Sequence, residues 1–107
     1  MITFEDFKKL DIQMGTIVSA EKAEGVDKLL KLVVDLGSEK RQIMAGIAEI
    51  FPDPSVLVGK QVPILTNLEP RKFRGHESQG MMLAADEDGK PVLLHTKKKV
   101  KNGSIIR

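Results

Sequence analysis

Residues 41–67, RQIMAGIAEIFPDPSVLVGKQVPILTN, decide the fold. Arg41 to Ile47 alternates, with Ile43, Ala45 and Ile47 on one side, the period of a strand with one buried face. Ala48 to Phe51 breaks that alternation and reads as a short helical turn, which Pro52 and Pro54 stop. Ser55 to Val58 can form another turn, and Gly59 ends the connection. Lys60 to Asn67 resumes as a strand. Pro63 within it predicts an edge or a bulge, because proline has no N–H to give to a ladder.

Upstream, Thr3 can cap a short helix from Phe4 to Leu10, with Asp6 in capping-box register. Phe4 and Phe7 fall one turn apart and are expected to pack against the core together. Asp11 to Lys22 reads as a long strand with Ile12, Met14, Thr16, Val18 and Ala20 on one face. Gly15 inside it predicts a bulge or bend. Glu24 to Lys28 is a turn. Leu29 to Leu36 is a second strand, with Leu30, Leu32, Val34 and Leu36 inward and Lys31 and Asp35 outward. Gly37 to Lys40 reads as the hairpin loop leading into the third strand.

Downstream, Pro70 ends pairing, and Arg71, Lys72 and Arg74 put three cations into four positions. Gly75 permits a turn that a β-carbon would hinder. Ser78 and Gln79 lead into a strand from Gly80 to Ala85. A cationic loop between two strands suits a polyanion. Asp86 to Lys90 is a turn, Pro91 to His95 a short strand, and the tail from Lys97 is basic and then apolar again.

Composition bounds the function classes. The chain has 107 residues, room for one domain spanning 1–107, with 41% hydrophobic and 30% charged residues. Zero Cys excludes disulfides, thiolate catalysis and Cys-ligated metals. No stretch approaches the ~20 apolar residues of a membrane span, and MITFEDFKKL lacks a signal peptide's apolar centre. The expected compartment is therefore the cytoplasm. Net charge is only +2, so cations serving a nucleic acid must be localised. His76 and His95, the only histidines, are too few for a zinc site without Cys. His76 beside Ser78 lacks an orienting acid and an oxyanion hole. Asp86, Glu87 and Asp88 lack the spacing of a calcium loop. No catalytic residue, metal or cofactor is expected.

Short strands, one helical connection between the third and fourth, and little other helix predict an all-β, five-stranded closed barrel. The oligonucleotide/oligosaccharide-binding (OB) fold places its helix in that connection. It binds ligands with one sheet face and the loops joining strands one to two and four to five. The basic stretch occupies the second of those loops. A short N-terminal helix and a C-terminal extension are added to the barrel.

The segments DKLLKLVVDLG (27–37), AGIAEIF (45–51) and NLEPRKFRGHESQGMMLAA (67–85) resemble the tRNA-binding domain of methionyl-tRNA synthetases, found as a C-terminal domain or beta subunit. Close relatives are free-standing tRNA-binding dimers, CsaA proteins and the domain of endothelial monocyte-activating polypeptide. The resemblance runs from Phe4 to Asn102-Gly103-Ser104. CsaA-like proteins carry a different sequence in the basic loop, which puts this chain with the synthetase-type branch. Phe73 and His76 depart from the family pattern, which has aliphatic and small or β-branched residues there.

The resemblance implies largely sequence-independent binding of tRNA by shape, in a homodimer, with the catalytic part of methionyl-tRNA synthetase as a possible partner. Arg71, Lys72 and Arg74 would meet phosphates; otherwise they are a solvated loop. Lys28 lies in the loop between strands one and two. The resemblance places Lys31 on the binding face, where it could equally be an ordinary strand lysine. Asn67 can read a base edge or a 2′-OH, or satisfy backbone groups at a strand end. Ser78 matches a serine the family uses at its RNA site, and Met82 an apolar platform; a loop hydrogen bond and core packing are their bland readings. With 4% aromatics and no Trp or Tyr, the surface is poorly built for stacking bases on Phe73. The alternative is a CsaA-like peptide-binding chaperone. Phe4, Phe7 and Leu10, with Val100, Ile105 and Ile106, form apolar additions that either cap one barrel or join two.

Overall fold

A computed structural model describes residues 1–107. After a helix, α1 (Phe4–Phe7), come β1 (Ile12–Lys22), β2 (Leu30–Asp35), β3 (Lys40–Ala45), β4 (Gln61–Leu65), β5 (Arg71–Phe73), β6 (His76–Ser78), β7 (Met81–Met82), β8 (Ala84–Glu87) and β9 (Lys90–Leu93). The main sheet runs β3-β2-β1-β4-β7, all antiparallel. Its two ends meet, so the chain forms a nearly closed OB-type barrel. Much of that closure is made by side chains rather than a continuous ladder. The Gln79 N–H donates to the Gln42 carbonyl at 2.8 Å, and the Met44 N–H donates to Ser78 Oγ at 3.0 Å. The connection expected between β3 and β4 is present, as a hydrogen-bonded turn after Ile47 and a 3-10 turn at Pro54–Leu57. No helix is long and apolar enough to cross a membrane.

The inward residues expected of β2 and β3 are the core. Leu30, Leu32, Val34 and Ile43 are fully buried, together with Ile17, Leu57 and Ile64. Each such side chain contributes about 1.5–3 kcal/mol relative to leaving it in water.

β1 departs from simple alternation. Its register steps from Ile17–Val34 to Ser19–Val33, so Val18 is an extra, bulged residue. The bulge lets Ile17 and Ala20, three positions apart, both face the core, while Val18 is exposed. The expected irregularity at Gly15 is therefore at Val18. Gly15 is needed for packing instead: a β-carbon there would lie 2.5 Å from Val34 Cγ1.

Pro63 sits neither on an edge nor at a bulge, since β4 lies between β1 and β7. It faces Met14, whose N–H and carbonyl bond to Ser104 and Gly103 rather than to β4. On the other side it accepts from the Leu83 N–H at 3.0 Å and has no N–H to return, so pairing with β7 stops there.

α1 is shorter than expected, but its capping box forms: Asp6 N–H to Thr3 Oγ1 and Thr3 N–H to Asp6 Oδ2, both 3.1 Å. The Thr3 backbone N–H is the main reason the Asp6 carboxyl titrates below its ordinary value. No helix residue is buried, and Phe4 is 72% exposed, so this pair does not join the core. The tail docks along the part of β1 that β2 leaves free, through Gly103 N–H to Met14 (2.7 Å) and Ile106 N–H to Ile12 (2.9 Å).

Candidate nucleic-acid interface

The basic segment is a hairpin rather than a loop. β5 and β6 pair as Arg71–Ser78, Lys72–Glu77 and Phe73–His76. Arg74 and Gly75 turn between them with φ of 49° and 87°. Two positive φ values in succession are the type I′ geometry that matches strand twist. Gly75 adopts this freely. Arg74 does so at a cost on the order of 1–2 kcal/mol.

Alternation divides the hairpin's side chains. Arg71 and Phe73 share one face, with the guanidinium carbon 5.1 Å from the ring centroid. Both border a groove of about 370 Å³ whose apolar lining includes Met44, Ile47, Met81 and Met82. Lys72 lies on the other face. The protein's ion pairs are Lys8–Glu5, Lys9–Asp6, Lys31–Glu21 and Arg41–Glu39, so Arg71, Lys72 and Arg74 carry unneutralised charge.

Several bonds fix this hairpin to the barrel. His76 Nε2 lies 2.8 Å from the Glu24 carbonyl in the β1–β2 loop. Gln42 Nε2 donates to the Glu77 carbonyl at 2.9 Å. Arg41 Nη1 donates to the carbonyls of Thr66 and Gln79. The Glu39 carboxylate beside it raises the Arg41 pKa, while Arg41 in turn lowers that of Glu39. Arg41 is thus a fixed cation at the hairpin's base.

The expected site residues fall into separate groups. Arg71, Lys72 and Arg74 are exposed on the hairpin, and Lys28 is exposed on the β1–β2 loop to which His76 ties it. Lys31 is half-buried and bonded to Glu21, its register partner on β1, at 2.9 Å, which holds the Glu21 carboxyl below its ordinary value. Asn67 Oδ1 accepts from the Asp11 N–H at 2.9 Å and its Nδ2 donates to the Lys9 carbonyl at 2.7 Å. Its amide thus joins the connection between α1 and β1 to the segment just after β4, the strand-end alternative. Ser78 is buried; its Oγ accepts from Met44 N–H and donates to the Gly80 carbonyl at 2.8 Å. Its hydroxyl therefore sews the closure. Met82 packs on the core while flooring the groove.

Arg41 and His76 were missed as positioning residues. Arg41 reads as an ordinary strand start, and no spacing rule joins His76 to a carbonyl 52 residues away. The departure of His76 from the family pattern was the one signal available.

Residues 12–105 match the model of the family described as "Putative tRNA binding domain". The methionine–tRNA ligase of Archaeoglobus fulgidus is 52% identical over 105 residues, covering 98% of this chain and 16% of that protein. The chain thus spans about a sixth of the length of the curated relatives it matches. A methionyl-tRNA synthetase-related protein from Pyrococcus horikoshii superposes with a TM-score of 0.93 at 40% identity, covering 100% of this chain and 98% of that one. The chaperone CsaA from Bacillus anthracis superposes with a TM-score of 0.88 at 31% identity, covering 100% and 99%.

Proposed function

The chain belongs to the tRNA-binding domain family, and we propose that it binds folded tRNA through the β5–β6 hairpin and the adjoining β1–β2 loop. The observation that carries this is the set of unneutralised cations, Arg71, Lys72 and Arg74, on a hairpin held by bonds from β3 and the β1–β2 loop. Each phosphate they neutralise releases counterions, and a rigid mount suits a ligand of fixed shape. Lysine and arginine contacts to phosphate position an RNA without reading its sequence, so binding is largely sequence-independent. Lys28 extends the surface, Lys31 joins it on release from Glu21, and Met82 supplies an apolar floor. Asn67 and Ser78 sit at its edge and serve it by holding the hairpin's two ends.

The whole chain, 1–107, acts as one cytoplasmic binding unit without chemistry of its own. It raises the affinity of methionyl-tRNA aminoacylation for tRNA, either as an accessory domain of the ligase or beside it. A homodimer completes the reading. Phe4 at 72% exposed and Ile105 at 56% lie on the N- and C-terminal additions, and Ile105 pairs with Gln13 near the start of β1. An isologous interface would cover them.

One observation favours a second reading, a CsaA-like peptide binder: the apolar groove beside Phe73, with Arg71 at its rim. Titration with tRNA, with an unstructured RNA of equal length and with an extended peptide, at one salt concentration, separates the two. The tRNA reading expects tRNA to bind far more tightly than either competitor. Equal affinity for the unstructured RNA removes shape recognition, and preference for the peptide favours the chaperone reading.

A further inference from the structure

Charge is divided unevenly along this chain. Residues 89–107 hold six of the 17 cations and none of the 15 acids, whereas residues 1–88 hold eleven cations against all 15 acids. The barrel with its cationic hairpin is therefore net acidic, and the C-terminal strap carries the excess positive charge. An approaching polyanion meets an attractive potential at two places on an otherwise repulsive body.

The strap is also built, rather than loose. The Gln61 amide exchanges two hydrogen bonds with the Val100 backbone, as a neighbouring strand would: Nε2 to the carbonyl at 2.6 Å and N–H to Oε1 at 2.9 Å. Asn102 Oδ1 accepts from Thr16 Oγ1 at 2.7 Å and from Gln61 Nε2 at 3.0 Å. On the other side of the lysines, β9 is anchored to β8 as far as the Leu93–Ala84 pair, and Thr96 Oγ1 closes a local turn onto the Lys98 carbonyl at 2.6 Å. Lys97, Lys98 and Lys99 are thus held between two anchored points. With Lys60 and His95 they line a groove of about 380 Å³. All four lysines are exposed, and none has a carboxylate partner.

This groove shares no residue with the apolar groove beneath the hairpin. It opens at Gln61, where β4 starts, whereas the chain enters the hairpin after β4 ends at Leu65. At about 3.4 Å per residue, those strand ends lie roughly 14 Å apart.

We propose that Lys60, Lys97, Lys98 and Lys99 form a second phosphate-binding surface for the same tRNA, distinct from the hairpin. The inference rests on the tRNA reading above and adds a second contact to it. Lysine ammonium groups are point charges with no fixed fork for a base edge, so the surface takes the sugar-phosphate backbone and no particular sequence. Two separate cationic surfaces on a net-acidic body also fix the orientation in which the RNA docks.

The test compares the intact chain, a Lys97→Gln/Lys98→Gln/Lys99→Gln variant, the matching triple Lys→Arg variant, and Lys72→Ala, each checked for an unchanged thermal melt. tRNA affinity is measured across salt concentrations. Three lost contacts should reduce the log–log salt slope by about 2 and weaken binding roughly tenfold or more at low salt. The Arg variant should keep both values. Ribose-phosphate footprinting should show two separated protected regions with the intact chain and one with the Gln variant. An unchanged slope in the Gln variant, while Lys72→Ala shifts it, overturns the second surface and leaves the tRNA reading standing. Loss of binding together with loss of a dimer in light scattering also overturns it, since the strap would then act through assembly. An intact chain with no affinity for tRNA removes both readings.

Discussion

The β5–β6 and β8–β9 hairpins share a backbone and differ in nearly everything else. Arg74-Gly75 turns with φ of 49° and 87°, Asp88-Gly89 with 52° and 83°. In β8–β9 the turn chemistry is local. Asp-Gly is a pair that type I′ geometry favours, and Asp86 Oδ1 accepts from the Gly89 N–H at 2.7 Å. In β5–β6 an arginine occupies the strained position, and the hairpin depends on remote partners: Glu24, Gln42, Met44 and Arg41. A turn that needs only to reverse the chain keeps the residues its geometry prefers. One that presents cations gives up that preference and takes its rigidity from the barrel, as local rules are given up at functional sites elsewhere.

Neutralising each hairpin tests the comparison most strongly. Arg71→Gln/Lys72→Gln/Arg74→Gln should weaken tRNA binding by roughly tenfold to a hundredfold and reduce the salt slope by about 2–3. Glu87→Gln/Asp88→Asn should leave affinity unchanged or slightly higher. Similar losses from both would mean that general charge, not the hairpin, governs binding.

Ser78→Ala examines the remote support. It leaves the buried Met44 N–H without its partner, a loss of about 1–3 kcal/mol in a denaturant melt. Hydrogen exchange of the β5–β6 amides should speed up while that of β8–β9 stays as it was. His76→Ala removes the tie to the β1–β2 loop. Its expected cost in affinity, about 0.5–1.5 kcal/mol, corresponds to roughly two- to twelvefold, with little change in the melt.

The smallest effect is the most discriminating in sign. Arg74→Gly should stabilise the fold by up to about 1 kcal/mol, because glycine adopts the positive φ without strain. The same change removes one phosphate contact, lowering the salt slope by about 0.7–0.9. Asp88→Gly should show no gain in stability comparable to this, since aspartate already tolerates that conformation.

The barrel was legible where burial alone decides. In β2 the charged Lys31 and Asp35 fix the phase despite the apolar Leu29 and Val33, so Leu30, Leu32, Val34 and Leu36 read inward, and all four are buried. The capping box was legible because its partners lie three residues apart. β1 was misread at Ile17-Val18, adjacent apolar residues between which only the register with β2 chooses. The hairpin within the basic stretch was hidden because three-residue strands of charged side chains show no apolar alternation. Asn67 and Ser78 each admit an RNA reading and a structural one from sequence, and the partners that hold them lie 56, 58 and 34 residues away. Sequence pattern reports what a side chain's neighbours along the chain require, and these side chains answer to the barrel's closure.

On the proposal above, RNA is held at the β5–β6 hairpin. Hydrogen exchange with and without saturating tRNA tests it directly. Protection should centre on Arg71 to His76 and the β1–β2 loop around Lys28, with Asp86 to Lys90 exchanging as in the free chain. Protection centred on β8–β9, or none on the β5–β6 hairpin in a chain that binds tRNA, would contradict the account.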